Sequence, residues 1–163
     1  MYDTPVEMYS SVGGQVLRLY NSNPIAYNNT CALRISRALN NSGITIPAGI
    51  DRSQGADGKY HFLSCAALLK WMKITFGTPT GSNYLTGSQG GANGLKFKDL
   101  LSGKKGIYFM VPNFPGGCDT PTTTGTGFCA SGHADIIQNG VCDGSCYFNA
   151  RGGVAEIFIF ELQ

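Results

Sequence analysis

Apolar side chains recur at helical intervals in two central stretches of the chain. Over residues 31–41 they return every three or four positions, which lines one face of a helix. Asn29 or Thr30 is a suitable N-cap for this helix, and Gly43 can end it. A second helix is predicted over 64–76, with these residues on its inward face: Cys65, Leu68, Leu69, Met72 and Phe76.

The N-terminal region carries a weaker helical pattern. Residues 4–20 have helical spacing, and Thr4 followed by Glu7 is a capping-box signature. Two adjacent glycines at 13 and 14 interrupt the pattern, and each costs roughly 1 kcal/mol in a helix. A short helical turn over 96–101 is the fourth predicted helix.

The strand signals come late in the chain. Residues 106–111, 133–138 and 154–162 are rich in β-branched and aromatic side chains and are bounded by glycine or turn residues. The stretches 78–93 and 115–127 are predicted to be surface loops. Helices followed by an antiparallel sheet predict the α+β fold class.

The composition narrows the functional classes. The 163 residues suit a single domain over 1–163, and a net charge of +2 without a basic stripe argues against a nucleic-acid partner. No apolar run approaches the ~20 residues that span a bilayer, so membrane insertion is not expected. The first twenty residues have no basic start followed by an apolar core, so no secretory signal is predicted.

Four of the six cysteines lie in loop-like sequence in the last third of the chain, which is typical of an oxidising compartment. Cys142 and Cys146 can form one short bridge, and Cys118 and Cys129 a second. The alternative is a zinc site built from these four cysteines and His133, although only one pair has the spacing of a zinc knuckle.

Cys31 is the candidate nucleophile. It stands at the predicted start of a helix, where unpaired backbone N–H groups and the helix dipole favour a thiolate. Because it also belongs to the apolar stripe, a buried and inert cysteine is the alternative.

His133 is the candidate general base, since it opens a strand directly after a glycine-rich loop. His61, just before a helix, is explained by capping or a surface position. A Cys/His enzyme also needs a group that orients the imidazole. Asp135, two residues along the same strand but about 7 Å away, and Asp143 are both candidates.

Several segments together resemble the fourth family of type VI secretion amidase effectors. The segment 28–40 resembles that family's nucleophile helix. The match continues, in order and spacing, through these segments: 42–47, 55–60, 103–107, Gly132-His133, Asn139-Gly140 and the Cys142/Cys146 pair.

The resemblance implies a papain-like fold of the NlpC type, with N-terminal helices packed on a C-terminal antiparallel sheet. It implies an antibacterial toxin that the type VI secretion machinery delivers into a neighbour's periplasm. There the toxin would act as a peptidoglycan amidase, cutting the bond between γ-D-glutamate and meso-diaminopimelate. It also implies a cognate immunity protein as partner, and no cofactor or metal.

Matching the motifs makes Cys31 the nucleophile and His133 the base. The third residue would be Asp143, which follows Cys142 directly and stands one place earlier than the family pattern. Asp135 therefore stays an alternative. The Cys31 backbone N–H, at a helix start, is expected to bind the oxyanion.

Two other functions remain open at this point. One is a non-catalytic, disulfide-rich domain that binds cell-wall glycan. The other is a papain-like peptidase that acts on proteins.

Overall fold

The computed structural model describes residues 4–113, 131–150 and 152–162. The chain divides into two compact units, Met1–Leu68 and Leu69–Gln163, which we describe separately. The single domain over 1–163 stays a prediction. Cys118 and Cys129 lie outside the described residues, so their bridge stays a prediction as well.

Three helices build most of the first unit: α1 (Pro5–Val12), α2 (Gly14–Ser22) and α3 (Cys31–Asn41). The prediction of one helix over 4–20 is wrong, because Gly13 adopts φ 66° and breaks it in two. The capping box is confirmed: the N–H of Glu7 donates to Oγ1 of Thr4 at 3.3 Å, and the Thr4 N–H donates to the Glu7 carboxylate at 2.6 Å.

A short antiparallel ribbon joins β1 (Arg52–Gln54) to β2 (Tyr60–Phe62) in the same unit. Helix α3 is fastened to β2 by Ser36, whose Oγ accepts from the N–H of Phe62 at 3.0 Å, and by Asn40, whose Nδ2 donates to the Tyr60 carbonyl at 2.9 Å. One apolar cluster of this unit contains Met8, Tyr9, Val12, Val16, Tyr20 and Leu33.

Helix α4 (Cys65–Phe76) begins in the first unit and ends in the second. Its inward face is as predicted except at Phe76, which is 48% exposed, whereas Trp71 is buried. The short predicted helix is α5 (Phe97–Leu100).

The second unit is built on a five-stranded antiparallel sheet with the order β3-β7-β4-β5-β6. Its strands are β3 (Tyr84–Thr86), β4 (Lys105–Pro112), β5 (His133–Gln138), β6 (Val141–Cys142) and β7 (Val154–Glu161). The three predicted strands are β4, β5 and β7, and the α+β class is confirmed. The predicted loop over 78–93 instead contains β3, which adds to the sheet edge beside β7.

Both faces of β4 are buried. Tyr108 and Met110 enter a core cluster, while Phe109 packs edge-on against Phe160 at 5.7 Å. That cluster also contains Leu85, Phe97, Leu101, Ile137, Cys142, Ala150, Val154, Ile157 and Ile159. Among the described residues, no helix is both long and apolar enough to cross a bilayer.

Candidate active site

Cys31 is the first residue of α3, is 7% exposed, and forms no disulfide with another described cysteine. Its backbone N–H donates to Oδ1 of Asn29 at 3.0 Å. An asparagine side chain often accepts a hydrogen bond from the backbone N–H two residues later, and here this bond lies at the start of α3. The N–H expected to bind an oxyanion is therefore occupied by an exposed side chain, which must rotate away before the N–H can serve substrate.

Cys65 contacts this cysteine within the first unit. It is the first residue of α4, is 5% exposed and likewise forms no disulfide with a described cysteine. A hydrogen bond with Cys31, and then burial, raise the pKa of Cys65 well above its usual range. The sequence suggested only a packing role for Cys65. The available signal was that both cysteines stand at starts of predicted helices.

Aromatic side chains complete the surroundings of Cys31 in this unit. Tyr9 is fully buried and stacks on Tyr20 with ring centroids 4.6 Å apart, and Tyr27 meets Tyr9 edge-on at 6.5 Å. Burial is the main cause that raises the pKa of Tyr9, with smaller contributions from Tyr27 and Cys31. Tyr9 therefore stays neutral at physiological pH.

His133 is the first residue of β5, where it pairs with Met110 of β4. Its side chain is 12% exposed, and Nε2 lies 3.6 Å from Oδ2 of Asp135. The edge of Tyr147 packs against the imidazole with centroids 4.8 Å apart. The acid and the aromatic ring together restrict the orientation of the imidazole.

Backbone donors hold the Asp135 carboxylate in place. Oδ1 accepts from the N–H of Ile136 at 2.8 Å, and Oδ2 accepts from Gly144 at 2.9 Å and Ser145 at 3.1 Å. Burial alone would raise the pKa of Asp135, but His133 and the N–H groups of Gly144 and Ile136 outweigh it, so the pKa is lowered. Asp135 is therefore a fixed anion beside His133.

Two of the donors to Asp135, Gly144 and Ser145, belong to a short segment, 142–147, that is held by a disulfide and a hydrogen bond. A disulfide joins Cys142 to Cys146, and the hydroxyl of Tyr108 donates to the Cys146 carbonyl at 2.7 Å. The backbone of Tyr147 adopts φ 49°, a conformation that residues other than glycine rarely take. Because the sulfurs of Cys142 and Cys146 are joined in a disulfide, they cannot bind zinc as thiolates, which argues against the zinc alternative.

Asp143 lies in the same segment but is placed differently. Its backbone N–H donates to the Ile136 carbonyl at 2.9 Å, and the residue is exposed. In the described part of the chain, its carboxylate has no hydrogen bond or ion pair. The structure therefore brings Asp135 to His133 and leaves Asp143 facing solvent.

His61 does not lie at the surface, so that explanation is wrong. It is the central residue of β2, is 2% exposed, and neither ring nitrogen has a hydrogen-bond partner among the described residues. Burial lowers the pKa of His61, with Asp57 opposing this effect. The His61 imidazole is therefore neutral in the interior of the first unit.

Comparison with known proteins identifies solved structures that share this fold. A sequence comparison with curated proteins found no match. The structure of Tae4 in the Tae4–Tai4 effector–immunity complex from Salmonella Typhimurium matches with a TM-score of 0.76 and 19% identity, over 99% of this chain and 90% of that one. Tae4 from Enterobacter cloacae matches with a TM-score of 0.73 and 18% identity, over 100% and 89%.

These likenesses establish the fold, which agrees with the papain-like NlpC type that the resemblance implies. A family model decides the membership. The model for the type VI secretion system amidase effector protein 4, Tae4, matches residues 27–160, a stretch that includes Cys31 and His133. The chain thus belongs to the Tae4 family of type VI secretion amidase effectors.

Proposed function

We propose that this protein is a cysteine amidase that cuts peptidoglycan stem peptides between γ-D-glutamate and meso-diaminopimelate. The observation that carries the proposal is the amidase-family match over both Cys31 and His133. The ion-pair geometry of His133 and Asp135 supports it, because an oriented imidazole is what a cysteine hydrolase requires.

The chemistry has two steps. The Cys31 thiolate attacks the amide carbonyl, the C–N bond breaks, and the glutamyl side becomes a thioester while His133 protonates the leaving amine. His133 then takes a proton from water, whose oxygen bonds to the thioester carbonyl carbon as the C–S bond breaks. This step releases the glutamyl carboxylic acid and regenerates the Cys31 thiolate and the protonated His133. With Nε2 directed at Asp135, the Nδ1 atom of His133 is the nitrogen assigned to this proton transfer.

We assign the third role to Asp135 in preference to Asp143. The Asp135 carboxylate is anionic, held by three backbone donors and within 3.6 Å of the ring. It can hold the imidazole in one tautomer and stabilise the imidazolium. The exposed Asp143 belongs to the segment that supplies two of those donors, so its main chain supports the arrangement.

We also infer a cognate immunity protein that covers the active site. Salmonella Tae4 has been solved in complex with Tai4 from its own species and with Tai4 from Enterobacter cloacae. The type VI machinery delivers the chain into the target periplasm. An oxidising periplasm preserves the Cys142–Cys146 bridge.

The test is digestion of purified sacculi, with mass analysis of the released muropeptides. We expect fragments that end at γ-D-glutamate, and no release by Cys31→Ala or His133→Ala. Ser102→Ala, an exposed change on the second unit, is the matched control and should digest normally. Digestion by a folded Cys31→Ala protein would refute the mechanism, and cleavage of casein without sacculi would indicate a protein-directed peptidase.

A further inference from the structure

The second unit contains a cavity that the proposed chemistry does not use. Its volume is about 930 Å³, within the range of small-molecule sites. The turn after β3 and the segments 91–94, 148–150 and 152–155 form its walls together with Asn113. Phe148, which lines it, directly follows Tyr147, whose ring packs on His133.

The side chains around this cavity are polar but uncharged. Hydroxyl groups come from Thr86 and Ser88, and carboxamides come from Asn93, Asn113 and Asn149. Among the described residues that line it, none is acidic or basic. Hydroxyls and carboxamides both donate and accept hydrogen bonds, so the lining fits a ligand with the same dual capacity and no net charge.

The backbone also forms part of the cavity wall. A Cβ atom on Gly87 would collide with the Val154 carbonyl, and one on Gly94 would collide with the Phe148 carbonyl. Only glycine permits this close approach. The Asn113 side chain is held in the cavity wall, since its Nδ2 donates to the Gly152 carbonyl at 2.9 Å, and its Oδ1 can serve as an acceptor.

Phe148 supplies one apolar surface. Its ring is half-buried, with centroids 5.6 Å from Phe97 and 6.0 Å edge-on from Tyr108. An aromatic ring held in this way can pack against the C–H face of a sugar while the surrounding amides bind its hydroxyl and acetamido groups. A phosphate or carboxylate ligand would instead need a cationic partner.

We propose that this cavity binds an uncharged, N-acetylated saccharide, namely the glycan strand that carries the stem peptide. The identity of the saccharide rests on the proposed function, whereas the binding chemistry rests on the cavity alone. Glycan bound beside the Tyr147–His133 contact would retain the enzyme on its polymer. Its contribution is to substrate affinity and not to bond cleavage.

The test uses the full-length Cys31→Ala protein, which should not cut peptides, titrated with N-acetylchitotetraose by calorimetry and NMR. We expect saturable binding, with amide shifts concentrated in 86–94, 148–150 and 152–155. Asn113→Leu and Asn149→Leu should each weaken binding at least fivefold. Gln138→Leu removes an exposed carboxamide from β5, outside the cavity, and should bind normally.

Kinetics in the otherwise native enzyme supply a second readout. Asn149→Leu should raise KM for a disaccharide-linked stem peptide while leaving the free stem peptide unaffected. No binding at millimolar saccharide, unchanged affinity in both asparagine variants, or displacement by free stem peptide would each overturn the glycan site. These outcomes are independent of whether Cys31 cuts the peptide, so the two proposals can fail separately.

Discussion

The Oδ2 atom of Asp135 lies 3.6 Å from Nε2 of His133 and accepts hydrogen bonds from Gly144 and Ser145. One carboxylate therefore contacts both the candidate base and the disulfide-closed segment 142–146. This dual contact links the orientation of the imidazole to the conformation of the segment.

Replacing Asp135 by Asn should reduce the rate of stem-peptide cleavage by about 100-fold or more, because an amide cannot stabilise the imidazolium as a carboxylate does. NMR titration of the His133 ring should show protonation at a lower pH in this variant. Asp143→Asn is the matched control, with an identical chemical change eight residues along the chain. It should retain the cleavage rate and the His133 titration. Loss of activity in Asp143→Asn, with Asp135→Asn active, would assign the role to Asp143.

Cys65 is expected to promote ionisation of Cys31 through their hydrogen bond. Cys65→Ala should slow alkylation of Cys31 at neutral pH by roughly three- to tenfold, since one such bond is worth about 0.5–1.5 kcal/mol. Cys65→Ser keeps a donor and should restore most of the rate. Equal alkylation rates in both variants and the parent would show that Cys65 only packs.

The Cys142–Cys146 bridge should matter more for the site than for global stability. Replacing both cysteines by alanine removes a loop constraint worth about 2 kcal/mol in the chain-entropy model. The cleavage rate should fall by more than this loss of stability explains, because two of the three backbone donors to Asp135 lie inside the bridged segment. The free energy of unfolding by denaturant and kcat, both measured on the double-alanine variant, separate the loss of stability from the loss of catalysis. Mass spectrometry without reductant should show the pair linked, and free thiols at both positions would contradict it.

Buried His61 should make the protein less stable in mild acid. Its pKa is lowered in the folded state, so below about pH 6.5 the unfolded chain binds the extra proton and unfolding becomes easier. His61→Phe should flatten the fall in the free energy of unfolding between pH 7.5 and 5. Comparing variant and parent cancels the contributions of titrating groups that do not interact with His61. Asp57, Lys59 and Arg37 act on this ring, so their effect on it is part of the measured difference. Parallel pH profiles would show that His61 does not carry the effect.

The local sequence pattern was sufficient to predict those helices and strands whose signals are short-range. The α3 boundaries, the Thr4 capping box and strands β4, β5 and β7 all follow from periodicity and capping chemistry. The glycine pair in the sequence indicated a break between α1 and α2. The structure supplies a reason for glycine at position 14, because a Cβ atom added there would lie only 2.5 Å from the backbone of Gly55. Strand β3 was missed because its pairing with β7 is non-local.

The sequence by itself determined the chemical types at the site: a cysteine at a helix start, a histidine at a strand start, and two nearby acids. It could not choose between the acids, since strand spacing puts Asp135 about 7 Å from His133 and says nothing of how the carboxylate bends back. Only the tertiary structure placed the Asp135 carboxylate beside His133, the Cys65 thiol against Cys31, and His61 in the interior. These contacts depend on side-chain rotamers and on pairings between distant segments, which packing decides.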